Sequence, residues 1–143
     1  MLSKKAKYGL QAIIFLAKEE KKKQGPIQIA SLAKNEKIPK KFLEIILLEL
    51  RKQGILHSKL GAGGGYSLGK AAEKISIGQV VRILDGPLAQ VSCLSKTAYH
   101  KCDECKDEKT CEIRKIMKKV HETTTRILDR TTLADAVKGK VNF

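Results

Sequence analysis

Lys37-Ile38-Pro39-Lys40-Lys41-Phe42-Leu43-Glu44 opens the stretch that decides the fold, and Gly61-Ala62-Gly63-Gly64-Gly65-Tyr66-Ser67-Leu68 closes it. Just upstream, Ile29, Leu32 and Ala33 share one face of a short helix over 29–36. Lys37-Ile38-Pro39 is a tight connection, and Pro39 suits the first turn of the following helix, where its missing N–H is not needed. That helix runs from Lys40 to about Gln53, with Phe42, Leu43, Ile46, Leu47 and Leu50 turned to the core, and Gly54 stops it. Ile55–Lys59 and Tyr66–Leu68 then read as two short strands around a glycine tip. Helix, tight turn, helix and hairpin in this order are the layout of a winged helix-turn-helix.

The rest of the chain extends this centre. Ser3 caps a helix from Lys4 to about Lys22, with Tyr8, Ala12, Ile13, Phe15 and Leu16 at helical spacing, and Gly25-Pro26 breaks the chain after it. Ser76 and Gln79 form a capping-box pair that opens a helix ending at Asp85-Gly86-Pro87. A final helix is expected over about Glu112–Asp135, and the tail past Lys138, which has no pattern, is expected to fray. The fold class is therefore mainly α with a small β-hairpin: a winged helix-turn-helix plus a long C-terminal dimerisation helix. The expected bounds are 1–86 for the DNA-binding domain, 87–111 for a cysteine-rich sensor loop, 112–137 for the dimerisation helix and 138–143 for the tail.

Charge names a partner. The chain has 29 Lys+Arg against 15 Asp+Glu, a formal net charge of +14, and the lysine excess is densest in the first sixty residues. A basic face on a helix-turn-helix is what a polyanion requires. The expected partner is double-stranded DNA, not a membrane, because no lysine-rich helix pairs with a Trp/Phe/Leu insertion face. The longest apolar run, Ala12–Ala17, falls far short of the roughly 20 residues of a bilayer span, so the expected location is the cytoplasm. Candidate DNA contacts are Lys4, Lys5 and Lys7 on the first helix and Gln28 before the second. Pro39, Lys40, Lys41 and Glu44 open the recognition helix, and Lys59, Gly61, Gly63, Gly64 and Gly65 form the wing. Lys40 and Lys41 suit phosphates, and Glu44 could accept from cytosine N4. The near match of Gly64–Ala71 to a phosphate-binding loop fails, since Ala71 has no hydroxyl for Mg²⁺ and Tyr66–Leu68 reads as a strand. No catalytic constellation is present, and the chain is not expected to be an enzyme.

All four cysteines fall in one segment, as Cys93-x8-Cys102-x2-Cys105-x5-Cys111. Disulfides of a secreted domain would be spread across the fold. Crowded soft thiolates suit an iron–sulfur cluster, expected to be of the two-iron type, or zinc as the alternative. A metal-free thiol switch fits the same residues. A thiol-disulfide or electron-transfer protein built on Cys102-x2-Cys105 is a remote reading, because the strand–CxxC–helix context is missing.

The last helix carries Ile113, Ile116, Met117, Val120, Ile127 and Leu128 near a 3–4 repeat, with charged flanks. At about 36 Å it is longer than so small a domain readily covers. A second copy of the chain is the expected cover, and a two-fold homodimer would set two recognition helices about one DNA turn apart.

Leu2–Ala12, Phe42-Leu43-Glu44, Leu50-Arg51-Lys52-Gln53-Gly54 and above all Gly61–Leu68 resemble the bacterial winged-helix regulators that include IscR, NsrR and CymR. The resemblance runs over residues 2–135. It implies a homodimeric transcription regulator, usually a repressor, whose long C-terminal helices cross at the interface. It also implies sensing of iron–sulfur, nitrosative or redox status through cysteines placed where Cys93–Cys111 lie, and base reading by Glu44. Two features depart from the pattern. Cluster-binding members show C-x5-C-x5-C and a nearby histidine; here Tyr99 stands at the first cysteine position and Arg114 at the histidine. Leu60 holds the place of a wing arginine, leaving Lys59 or His57 as substitutes.

Overall fold

Ser3 starts the first helix and ties it down. In the computed structural model, which describes residues 2–143, its hydroxyl accepts from the Ala6 N–H at 3.0 Å, while its own N–H and hydroxyl both donate to Asp85. Helix α1 (Lys4–Glu20) therefore begins against the far end of α4 (Ile77–Asp85). Helices α2 (Ile29–Glu36) and α3 (Lys40–Lys52) follow, joined through Lys37 in the left-handed conformation. Ile13, Leu32, Leu43, Ile46, Leu47 and Leu50 are fully buried where these helices meet. Each contributes roughly 1.5–3 kcal/mol by leaving water. Phe42 is half-buried and meets Tyr8 edge-on, with ring centroids 5.6 Å apart.

The wing is a two-stranded antiparallel hairpin, β1 (Leu56–Lys59) and β2 (Gly65–Leu68), with Leu56 opposite Leu68 and Lys59 opposite Gly65. It is anchored by a pairing that the sequence did not suggest: Ile27 and Tyr66 exchange both backbone hydrogen bonds at 2.8 Å. Gly65 makes that approach possible. Its φ is +142°, and a Cβ there would lie 2.3 Å from the Ile27 carbonyl oxygen. The hairpin is thus clamped to the start of α2 instead of swinging free.

Short 3₁₀ turns occupy Ala72–Lys74 and Ser92–Leu94. Helix α4 has only half its expected capping box: the Ser76 hydroxyl accepts from the Gln79 N–H at 3.1 Å, without a return bond from the Gln79 side chain.

The end of the chain corrects the sequence reading twice. One helix to Asp135 was expected, but α5 (Glu112–Arg130) stops at Thr131, and Leu133–Val137 form a separate helix, α6. Thr132 and Asp135 make a reciprocal capping box that starts α6. The Leu133 N–H donates to the Ile75 carbonyl at 2.7 Å, and the Leu133 side chain is fully buried. Residues 131–137 therefore pack on the winged body, apart from α5. Nor does the tail past Lys138 fray as expected. Asn142 donates to the Thr131 hydroxyl, the Arg130 carbonyl and the Asp135 carboxylate, folding it back.

Candidate nucleic-acid interface and cysteine loop

Among the described residues, four of the six α-helices close their N-termini with a side chain: Ser3, Ser76, Cys111 and Thr132 each accept a first-turn N–H. The starts of α2 and α3 are different. Gln28 and Pro39 occupy the cap positions and supply no side-chain bond. The first-turn N–H groups of the helix-turn-helix pair are left open, and such groups carry the positive end of the helix dipole toward an anion. Lys40 and Lys41 flank the open end of α3, both exposed and without an acidic partner among the described residues. Glu44, one turn on, is also exposed. Pro39 itself sits at the cap, one position before the helical turn the sequence assigned it.

The same face carries two residues the sequence reading missed. Ile45 is 53% exposed and Leu48 38% exposed. With Lys41 and Glu44 they follow i, i+3, i+4, i+7 spacing along the outside of α3. Apolar side chains on a groove-facing helix can meet thymine methyl groups. Their signal was in the sequence: α3 has more apolar positions than one buried stripe can absorb.

Around this helix the expected contacts divide. Lys4, Lys7, Gln28, Lys59, Gly61 and Gly63 are exposed. The Lys5 ammonium lies 2.7 Å from the Glu49 carboxylate and joins α1 to α3. Gly64 is buried beneath the tip, where a Cβ would lie 2.2 Å from the Lys59 carbonyl oxygen, and Gly65 faces Ile27. These two glycines shape the wing from inside. Leu60, 92% exposed, crowns the tip. The Arg51 guanidinium donates to the Ser58 hydroxyl at 3.2 Å and links α3 to the wing.

The four cysteines are all free thiols. Cys93 lies in the Ser92–Leu94 turn, and the Cys105 N–H closes a turn on the Cys102 carbonyl at 3.0 Å. Cys111 caps α5, its sulfur accepting from the Arg114 N–H at 3.4 Å. The Cys105 thiol is pushed above its ordinary pKa, first by desolvation and then by Glu108, Cys111 and Cys102, against the pull of Lys101. Tyr99, at the departing cysteine position, donates its hydroxyl to Glu108, and that bond raises its own pKa. Among the described residues no three His, Cys, Asp or Glu side chains stand together in an ion-holding group. The donor chemistry suits a cluster or zinc, but this arrangement does not fit one. The expected ligand set of Cys93, Cys102, Cys105 and Cys111 is not assembled.

Helix α5 buries none of its 19 residues. Ile113, Ile116 and Val120 are 65%, 60% and 41% exposed, and Met117, Ile127 and Leu128 are half-buried. No helix of the described residues is long and apolar enough to cross a membrane.

Residues 2–139 match the family model described as Rrf2, iron-dependent transcriptional regulator. The chain belongs to the Rrf2 family. It is 44% identical over 137 residues to a Rhodobacter capsulatus protein designated an rrf2-like HTH-type transcriptional regulator, covering 94% of this chain and 91% of that one. Among solved structures it is similar to CymR, the global cysteine regulator of B. subtilis, at 31% identity and a TM-score of 0.74 over 98% of each chain. It is also similar to T. potens IscR, at 27% identity and a TM-score of 0.73, over 97% of this chain and 87% of that one. Rrf2 proteins are transcription regulators, not enzymes, and this chain's winged helix-turn-helix is the DNA-binding unit of such a regulator.

Proposed function

We propose that this Rrf2 protein is a homodimeric repressor that grips operator DNA with α3 and the wing and is controlled through its cysteine loop. The observation that carries the reading is the open start of α2 and α3, beside Lys40 and Lys41, where the other α-helices of the described residues start with a side-chain cap. Phosphates would complete those N–H groups and fix the register, and Glu44, Ile45 and Leu48 would then face base edges. Dimerisation is supported by α5, a long helix with an exposed apolar stripe. A two-fold axis along that stripe would present two recognition helices to successive turns of one groove. The cytoplasm is the place such a repressor would act.

Control through the loop is supported by four free thiols gathered in the segment with the least regular structure. An iron–sulfur cluster, with zinc as its rival, draws support from the soft donor set and from the family's description as iron-dependent. Either would need residues 93–111 to re-form around it. A metal-free thiol switch needs no assembled cage, and Cys102 and Cys111 lie near enough to Cys105 to raise its pKa.

The test is DNA binding. DNA selected from a random pool by the protein itself is titrated against wild type and the Lys40→Glu/Lys41→Glu variant over a range of salt. The variant is expected to bind at least ~100-fold more weakly, with the salt slope reduced by about two, one per lost phosphate contact. Unchanged affinity in the folded variant would remove α3 from the interface.

A further inference from the structure

A cavity of about 580 Å³ opens where the end of α4, the segment 87–97 and the inner side of α5 meet. It falls within the size range of small-molecule sites. Pro87, Leu88, Ala89 and Leu94 make one wall apolar. The other wall is charged and unevenly satisfied. Arg82 donates to both carboxylate oxygens of Asp129, at 2.6 and 2.9 Å, and Glu122 has Lys118 at 3.9 Å. Both acidic groups of the wall are thus engaged by cations. Lys96 and Arg126 line the same cavity and have no carboxylate within 4.0 Å among the described residues. The charge left over is positive, and it faces an apolar surface.

A partner helix would leave this space open. Lys118, His121, Glu122, Thr125 and Asp129 line it from one face of α5, roughly half a turn around the helix from the Ile113, Ile116, Val120 and Ile127 stripe. A second copy packed along the stripe and a small molecule in the cavity can therefore be present together.

We propose that this cavity is an effector site for a small monocarboxylic acid, whose carboxylate lies against Lys96 and Arg126 and whose apolar body lies against Leu88 and Leu94. A charged end with a compact apolar remainder is the ligand chemistry that satisfies both walls. The site stands on a joint. Among the described residues, Arg82–Asp129 is the one ion pair between the winged body and α5. It is drawn tight by Gly78, where a Cβ would lie 2.1 Å from an Asp129 carboxylate oxygen. A second carboxylate beside this pair would compete for its donors and shift α5 against α4. That consequence for DNA, though not occupancy of the cavity, rests on the regulatory function proposed above. Typical coupling between two sites would change operator affinity about 5–150-fold.

Isothermal titration of the full chain with benzoate and with hexanoate, in the absence of DNA, tests the site. Benzamide and inorganic phosphate serve as the neutral and purely anionic comparisons. Saturable binding is expected for at least one carboxylate, with benzamide and phosphate at least ~10-fold weaker, since each lacks one half of the match. The Lys96→Ala/Arg126→Ala variant is expected to lose at least ~10-fold. Both side chains are exposed, and Lys96→Gln provides a milder second variant. No saturable heat with either acid, equal binding of phosphate, or unchanged affinity in both folded variants would overturn the proposal. Because the heats are read without DNA, failure of the repressor reading would leave them unmoved.

Discussion

The winged body and the sensor half of this chain are built on opposite terms. In the body, Ile13, Leu32, Leu43, Ile46, Leu47 and Leu50 are fully buried, and the hairpin is locked by backbone approaches at Gly64 and Gly65 that admit no side chain. In the sensor half, the loop over 87–111 has one short 3₁₀ turn as its regular structure, and α5 buries no residue. The body can specify its own fold. On the function proposed above, the sensor half is finished by something else: a second copy along the stripe, and a chemical event at the thiols. A regulator needs this division, because the element that reads a signal must have more than one arrangement of similar free energy.

The largest expected break in that contrast comes from the stripe. Ile116→Asp places a carboxylate at the centre of the proposed α5–α5 contact, and two-fold symmetry enters it twice. An unpaired charge taken out of water costs several kcal/mol. The dimer dissociation constant is expected to rise at least ~1,000-fold, about 4 kcal/mol, by sedimentation equilibrium. Circular dichroism should show the winged body still folded, since Ile116 is 60% exposed in the single chain. A dimer of unchanged strength would show that α5 does not form the interface.

Much of the body was legible in the sequence. Ser3, the Lys37-Ile38-Pro39 turn, Gly54 and the glycine tip are local signals, and the element bounds they give agree with the structure to within a few residues. Features that depend on distant partners were not legible. Nothing near Lys5 announces Glu49, 44 positions away, and a lone Ile27 gives no hint that it pairs with Tyr66. The break at Thr131 was masked because Ile127 and Thr131 keep the i, i+4 spacing of a helix, although the box Thr132-x2-Asp135 was there to be read. In the cysteine segment, spacing showed the donor chemistry and said nothing of whether the sulfurs converge. Assembly there depends on loop conformation, which no local propensity fixes.

Leu133 sharpens the comparison from the other side, because it lies beyond α5 in sequence and inside the body in space. Leu133→Ala is expected to lower unfolding free energy by about 3 kcal/mol, the usual cost of emptying a fully buried leucine site. Urea denaturation measures it, with dimerisation held saturated. A loss below ~0.5 kcal/mol would return residues 131–137 to the periphery and restore a single long C-terminal element.

The smallest expected effect is at the thiols, and it separates the ways the loop could sense. Thiolate, not thiol, attacks iodoacetamide. Cys105 has a raised pKa, chiefly from desolvation, so its thiolate fraction at neutral pH is held below that of an ordinary cysteine. In metal-free protein its labelling, followed residue by residue by mass spectrometry, should be slow at pH 7. The rate should go on climbing past about pH 8.5, where an ordinary thiol begins to level off. Lys101→Ala should slow it further, because that lysine pulls the pKa down. Protein purified without oxygen supplies the contrast. If iron–sulfur or zinc holds these sulfurs, several cysteines will resist labelling together until a chelator is added, and metal content will fall as they become reactive. If the four label independently from the start, with Cys105 lagging, the loop works as a set of separate thiols.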